Sequence, residues 1–307
     1  MRFRLSLALF AACILSACGS GPTAITTALA ANHPIFGVAG TPASYEALGS
    51  LQPKIIATYF SWDGDSPSSF LAQATQLHAI PFITWMPKAS DNNKALSIIP
   101  EIAEGQYDTY IRSWATTLRA YHNTVFIRFA QEMNGNWSPW NATGPTLYKA
   151  AWQRIVRIFR GSGANNVKFI WAPDPKIRSS GSLQAWANEV KEWYPGSHYV
   201  NYVGLSVVSF SQDSQFGVLP YFQRLNFLHT LEKKPIIIPE MKIAYGLVRQ
   251  DLPQWRKFIE SKPWIKAIIW SETISLAQEQ APTFSGDMDW SLTQYPYAFS
   301  IIKQLIL

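Results

Sequence analysis

The chain has 307 residues and only two cysteines, Cys13 and Cys18, so a disulfide-stapled scaffold is excluded and folding must rest on a buried core. Histidine is scarce too: five residues (33, 78, 122, 198, 229) with no HExxH or paired spacing, which leaves no zinc-hydrolase signature and predicts no metal. IFGVAGTPAS after the first apolar run is not a GxGxxG turn, no GxxxxGK[ST] loop occurs, and no GxSxG elbow is present. Dinucleotide, P-loop and serine-hydrolase chemistry are therefore set aside, and no cofactor is predicted. Charged residues make up only 15%, and the formal net charge of +6 is scattered without a Lys/Arg block. That distribution fits a solvated surface and carries no nucleic-acid motif. Hydrophobic residues at 48% exclude a disordered chain.

The one long apolar run lies at the start. Arg2 and Arg4 precede an apolar stretch, Leu5 to Leu15, of signal-peptide length and too short to span a bilayer. It ends in Leu15-Ser16-Ala17-Cys18, which resembles the lipobox of bacterial lipoproteins, where cleavage precedes a lipidated Cys. The expectation is a signal at 1–17, a polar tether at 18–32 and one folded domain at 33–307. The chain would be exported and held at the cell envelope, on the outer membrane or a periplasm-facing membrane, by a lipid on Cys18, as a monomer.

What the sequence has in excess is aromatic surface, 14% of residues with 13 Trp. Many lie beside turn residues, the pattern of flat platforms for sugar rings. Eight short β-branched runs are predicted as strands: 35–40, 54–62, 80–87, 124–132, 167–174, 202–210, 235–240 and 267–272. Stretches with apolar spacing near 3.6 alternate with them. Nearly continuous apolar strands separated by helices imply a parallel sheet covered by helices. Eight such units predict a single (β/α)8 TIM barrel, with an open doubly wound sheet as the other arrangement.

In such barrels chemistry gathers at the C-terminal ends of strands. The fourth run, TVFIRFAQE, ends in Glu132 and is followed by MNGNWSPW; the seventh, PIIIPE, ends in Glu240. Two carboxylates across a cleft suit glycoside hydrolysis, one protonated to donate to the leaving oxygen and one ionised to attack the anomeric carbon. A separation of ~5–5.5 Å gives retention of configuration. Alternation puts Arg128 on the face of Glu132, pointing into the barrel, where a buried guanidinium needs a carboxylate; Glu240 is the expected partner. Trp62, Trp85, Trp171 and Trp270 at strand ends, with Asn134, Trp137 and Trp140 in the Gly/Asn/Pro loop, are the expected substrate contacts.

QEMNGNWSPW on a fourth strand resembles the acid/base motif of glycoside hydrolase family 26, the β-mannanase family of the large retaining (β/α)8 clan. FGVAG, ITWMP, GQYDTYIRSWA, YPGSHYVNYVGLSVVSF, KPIIIPE, and IKAIIWSE with DMDWSL extend the resemblance along most of the chain after the leader. It implies Glu132 as acid/base, Glu240 as nucleophile and Trp270 as a sugar floor. Two positions depart from the pattern. Gln131 stands where the family has His, and the sixth run ends in Ser209-Phe210 without the family's tyrosine hydroxyl; Tyr245 is the candidate replacement. The resulting expectation is a retaining, endo-acting β-glycanase on a β-linked polysaccharide: mannan, a mixed-linkage or β-1,3-glucan, or an exopolysaccharide. The competing expectation is a catalytically weak or inactive polysaccharide-binding lipoprotein acting in exopolysaccharide processing or export.

Overall fold

The β-branched runs pair in parallel, as their two-sided burial requires. In the computed structural model, which describes residues 33–41, 45, 48, 52–62, 66–88, 97–177, 181–210, 214–272 and 296–306, they form nine strands. These are β1 (Ile35–Ala39), β2 (Ile55–Ser61), β3 (Ile80–Met86), β4 (Val125–Phe129), β5 (Val167–Trp171), β6 (Tyr202–Gly204), β7 (Val207–Ser209), β8 (Ile236–Ile243) and β9 (Ile265–Ser271). Their order is β6-β5-β4-β3-β2-β1-β9-β8-β7, and β6 also pairs with β8, so the sheet closes on itself. β6 and β7 are two pieces of one staves' position, both lying parallel to β8. The result is the closed eight-position parallel barrel expected of a (β/α)8 chain.

Closure depends on one small residue. A Cβ on Gly204 would sit 2.6 Å from the carbonyl oxygen of Ile237, so only glycine lets β6 approach β8 this closely.

The helices α1 (Ser68–Gln76), α2 (Ile99–Glu104), α3 (Asp108–Ala120), α4 (Gly144–Gly161), α5 (Leu183–Trp193), α6 (Leu219–Glu232), α7 (Tyr245–Glu260) and α8 (Pro296–Ile306) flank the strands. Each long helix buries one stripe: Ile111, Trp114, Ala115 and Leu118 on α3, and Tyr148, Ala151, Trp152, Ile155, Val156 and Phe159 on α4.

Alternation along the strands divides the apolar residues into two cores. Ile35, Ala39, Ile55, Ala57, Ile80, Phe82, Phe126, Ile170, Ile237, Ala267 and Ile269 fill the barrel. The opposite faces join the helices in a larger, aromatic-rich outer core. Among the described residues no helix is long and apolar enough to cross a membrane. Cys18, with the expected signal and tether, and the DMDWSL segment at 287–292 lie outside the described residues.

Candidate active site

At the upper end of the barrel interior, apolar residues give way to charge. Arg128 follows Phe126 on the inward face of β4 and is completely buried. Its Nη1 donates to Glu240 Oε2 at 3.3 Å and its Nη2 to Glu132 Oε1 at 3.2 Å. Nη2 also donates to Ser206 Oγ at 2.5 Å. One guanidinium thus gathers both carboxylates. The partner expected from the sequence was Glu240 alone.

β4 stops at Phe129, and Glu132 reaches Arg128 by a coiled exit from the strand. Ala130 and Glu132 have φ of 44° and 55°, a left-handed conformation that costs a non-glycine residue about 1–3 kcal/mol. Neighbouring bonds hold the strained segment. Ala130 N–H donates to the Trp85 carbonyl, and Glu132 N–H donates to that of Ala172. Trp140 Nε1 donates to the Gln131 carbonyl, and Asn141 Nδ2 to that of Glu132. Backbone strain fixed at a carboxylate just beyond the end of a barrel strand is a usual mark of a functional position.

Glu240 is placed by a different device. Sequence pattern ended its strand at this residue, but β8 continues to Ile243. Between Ile238, opposite Ile268, and Met241, opposite Trp270, the register slips. Pro239 and Glu240 together therefore face one residue of β9, a β-bulge. The extra residue reverses the alternation. Ile236 and Ile238 point outward before it, Met241 and Ile243 after it, so Glu240 and Lys242 both turn inward. Lys242, fully buried, places Nζ 2.9 Å from Glu240 Oε1.

The two glutamates are driven in opposite directions. Burial pushes the Glu240 carboxyl up, but Lys242 and then Arg128 outweigh it and hold the group down at about 2. Glu132 is raised: burial dominates, Arg128 opposes it, and the Glu240 charge adds to it. One carboxylate that stays ionised beside one disposed to keep its proton is the division of labour that acid–nucleophile chemistry needs.

Two further groups complete the cluster. The Tyr59 phenol on β2 lies near Glu240, and it is raised well above the ordinary range by burial and then by the Glu240 charge. Asp174, after β5, is buried, and burial followed by the Glu132 charge lifts its carboxyl to about 7. Both lie within predicted strand runs, 54–62 and 167–174, but sequence pattern assigned neither a role. It missed Ser206, in the gap between β6 and β7, and Lys242, which continued alternation past Glu240 would have found.

Most of the expected sugar platforms are core residues, which corrects the reading of Trp at strand ends. Trp85, Trp171 and Trp270 occupy outward positions next to the inward Thr84, Ile170 and Ile269, and each is 0% exposed. Trp62 stacks on Trp85 at 4.5 Å. Trp140 is buried as well, with its indole N–H bonded to the Gln131 carbonyl. Asn134 is spent on structure: Nδ2 donates to the Asp174 carbonyl and Oδ1 accepts from the Asp174 N–H. Gln131 lies beside Glu132 with its side-chain oxygen buried and unbonded among the described residues. Tyr245 opens α7, and its side chain lies outside the described residues. Trp137 is different. It is 47% exposed in the loop beyond Glu132, and its ring lies so close over Gly135 that a Cβ there would be 2.7 Å from it.

Residues 85–250, which run from the end of β3 to the start of α7 and contain all of Arg128, Glu132, Ser206, Glu240 and Lys242, match the family model described as glycosyl hydrolase family 26. The chain belongs to glycosyl hydrolase family 26. Endoglucanase H of Acetivibrio thermocellus is 27% identical over 279 residues, covering 86% of this chain but 28% of that protein. Mannan endo-1,4-beta-mannosidase of Bacillus subtilis is 24% identical over 228 residues, 68% of this chain and 53% of that protein. The family 26 chain thus spans only part of the length of these relatives. In fold it is similar to a GH26 β-mannanase from Bacteroides ovatus, with a TM-score of 0.65 at 17% identity over 92% of this chain and 91% of that one. Among the described residues no group of three or more His, Cys, Asp or Glu side chains could hold a metal ion.

Proposed function

We propose that this family 26 chain is a retaining, endo-acting β-glycanase that hydrolyses a β-linked polysaccharide. The observation that carries the reading is the single buried guanidinium of Arg128 shared by two glutamates whose environments push their proton affinities apart. Glu132 protonates the glycosidic oxygen while Glu240 attacks the anomeric carbon, and a covalent glycosyl–Glu240 ester forms. Glu132, now ionised, takes a proton from water, which displaces the sugar from Glu240. Each half-reaction moves one negative charge between the glutamates. Arg128 touches both and keeps an anionic partner throughout. Trp137, at the rim beyond Glu132, offers a ring face to sugar on the leaving-group side. The named activities of the relatives support a β-glucan or a β-mannan as the polymer class. Cys18 and the apolar leader support export and lipid anchoring at the cell envelope, with the barrel acting as a monomer on polymer outside the cytoplasm.

The test is reducing-end release from β-mannan, β-glucan, β-xylan and bacterial exopolysaccharides by the soluble domain, beside Glu132→Gln and Glu240→Gln. One polymer should be cleaved, with activity reduced by about 10²–10⁴-fold or more in each variant. Cleavage that survives both substitutions would refute the assignment. Polymer binding with no cleavage at any pH would favour a glycan-binding role.

A further inference from the structure

The β8 bulge brings a second buried cation to the candidate nucleophile. Arg128 meets Glu240 Oε2 at 3.3 Å and Lys242 meets Oε1 at 2.9 Å, so each carboxylate oxygen has its own positive partner. Arg128 and Lys242 are both 0% exposed, and the Glu240 side chain is 8% exposed. A lysine ammonium is a compact, strongly hydrated charge, and removing it from water is expensive unless a carboxylate compensates. Sequence position alone does not require it there, since barrel interiors are ordinarily filled by apolar chains.

We propose that Lys242 is a positioning residue for Glu240, aiming its carboxylate and stabilising that charge both before attack and as the carboxylate departs from the glycosyl ester. This rests on the glycosidase reading. When Glu240 forms the C–O bond to the anomeric carbon, the glycosidic C–O bond breaks and the Glu132 proton goes to the leaving oxygen. Negative charge thereby moves from Glu240 to Glu132. Arg128 follows it, because Nη2 already contacts Glu132. The Lys242–Glu240 ion pair instead breaks on ester formation and reforms when water displaces the sugar. Lys242 thus favours the second half-reaction, making Glu240 a better leaving group. The ionisable groups bearing on Glu240 are Lys242 on β8, Arg128 and Glu132 from β4 and its exit, and Tyr59 on β2. Asp174, after β5, acts on Glu132.

The experiment has two independent readouts on Lys242→Met and Lys242→Arg. The first needs no substrate: NMR titration of ¹³C-labelled glutamate carboxyls, with the Glu240 signal assigned from Glu240→Gln. Lys242→Met should raise the Glu240 midpoint by at least about one pH unit, and Lys242→Arg should restore much of it. The second is stopped-flow release from 2,4-dinitrophenyl β-mannobioside and β-cellobioside. Lys242→Met should slow deglycosylation about tenfold or more relative to glycosylation, giving a larger burst. An unchanged Glu240 midpoint in folded Lys242→Met overturns the proposal. If that variant does not fold, Lys242→Gln replaces it: the Glu240 midpoint should again rise by at least about one pH unit, and no rise overturns the proposal. A parent protein that cleaves no glycan refutes the glycosidase reading, while the titration still decides the role of Lys242.

Discussion

Replacing Arg128 with methionine removes the group that holds the site together while nearly preserving its volume. Two glutamates then share one remaining cation, Lys242, in an interior where Arg128 was 0% exposed. Breaking a buried ion pair from one side destabilises by about 3–5 kcal/mol, because a charge is left uncompensated. Glu132 provides partial relief. It is already inclined to hold a proton through burial, and without Arg128 its folded-state affinity rises further. At low pH a protonated Glu132 leaves Glu240 and Lys242 balanced, and the deficit falls towards the ~1–3 kcal/mol of lost hydrogen bonding. The sign follows from linkage. A carboxyl whose folded pKa is raised contributes stability below its unfolded value and loses it as pH rises through the folded value. The deficit relative to the parent therefore grows by up to ~1.4 kcal/mol per pH unit between the parent's folded Glu132 midpoint and the variant's higher one, and is constant above that. Urea unfolding of both proteins at pH 5, 6, 7 and 8, followed by tryptophan fluorescence at constant m-value, measures this. A deficit independent of pH, or below ~1 kcal/mol at pH 8, would refute the shared-guanidinium account.

Other consequences are simpler. Glu132→Gln should be more stable than the parent at pH 8, with the difference shrinking towards pH 5, because the fold disfavours ionised Glu132; thermal melts across that range check it. Trp137→Ala should leave the melting temperature unchanged and weaken oligosaccharide binding by ~0.5–1.5 kcal/mol in calorimetry, since the ring is half exposed. Trp85→Ala should do the reverse, costing ~3–5 kcal/mol of stability through loss of a buried stack with Trp62 and Trp114. Gly204→Ala should destabilise by ~1–3 kcal/mol by forcing β6 off β8, read from the urea midpoint.

Strand number and type were legible because period and length act locally. All eight predicted strand positions are present, and β1, β2, β3 and β9 end within two residues of the predicted bounds. The candidate carboxylates were legible for a similar reason: barrel chemistry sits at strand ends, and Glu132 and Glu240 are acidic residues closing apolar runs. The tryptophans were misread because a residue near a strand end can face either core. One step of alternation sends Trp85, Trp171 and Trp270 to the helices and their neighbours to the barrel.

Composition and hydrophobic period by themselves determined that this chain builds a parallel barrel with helices around it and presents two glutamates near its upper end. They are short-range properties, set by neighbours a few residues apart. The Arg128–Glu240 pair was expected from alternation and burial, and only the tertiary structure decided the rest of the charge pairing. A one-residue bulge in β8 turned both Glu240 and Lys242 inward, the break between β6 and β7 brought Ser206 to Arg128, and closure of the sheet set a guanidinium between carboxylates 112 residues and 4 residues away in sequence. Such pairings depend on register and closure, which hydrogen bonds between distant strands fix and which no local pattern encodes.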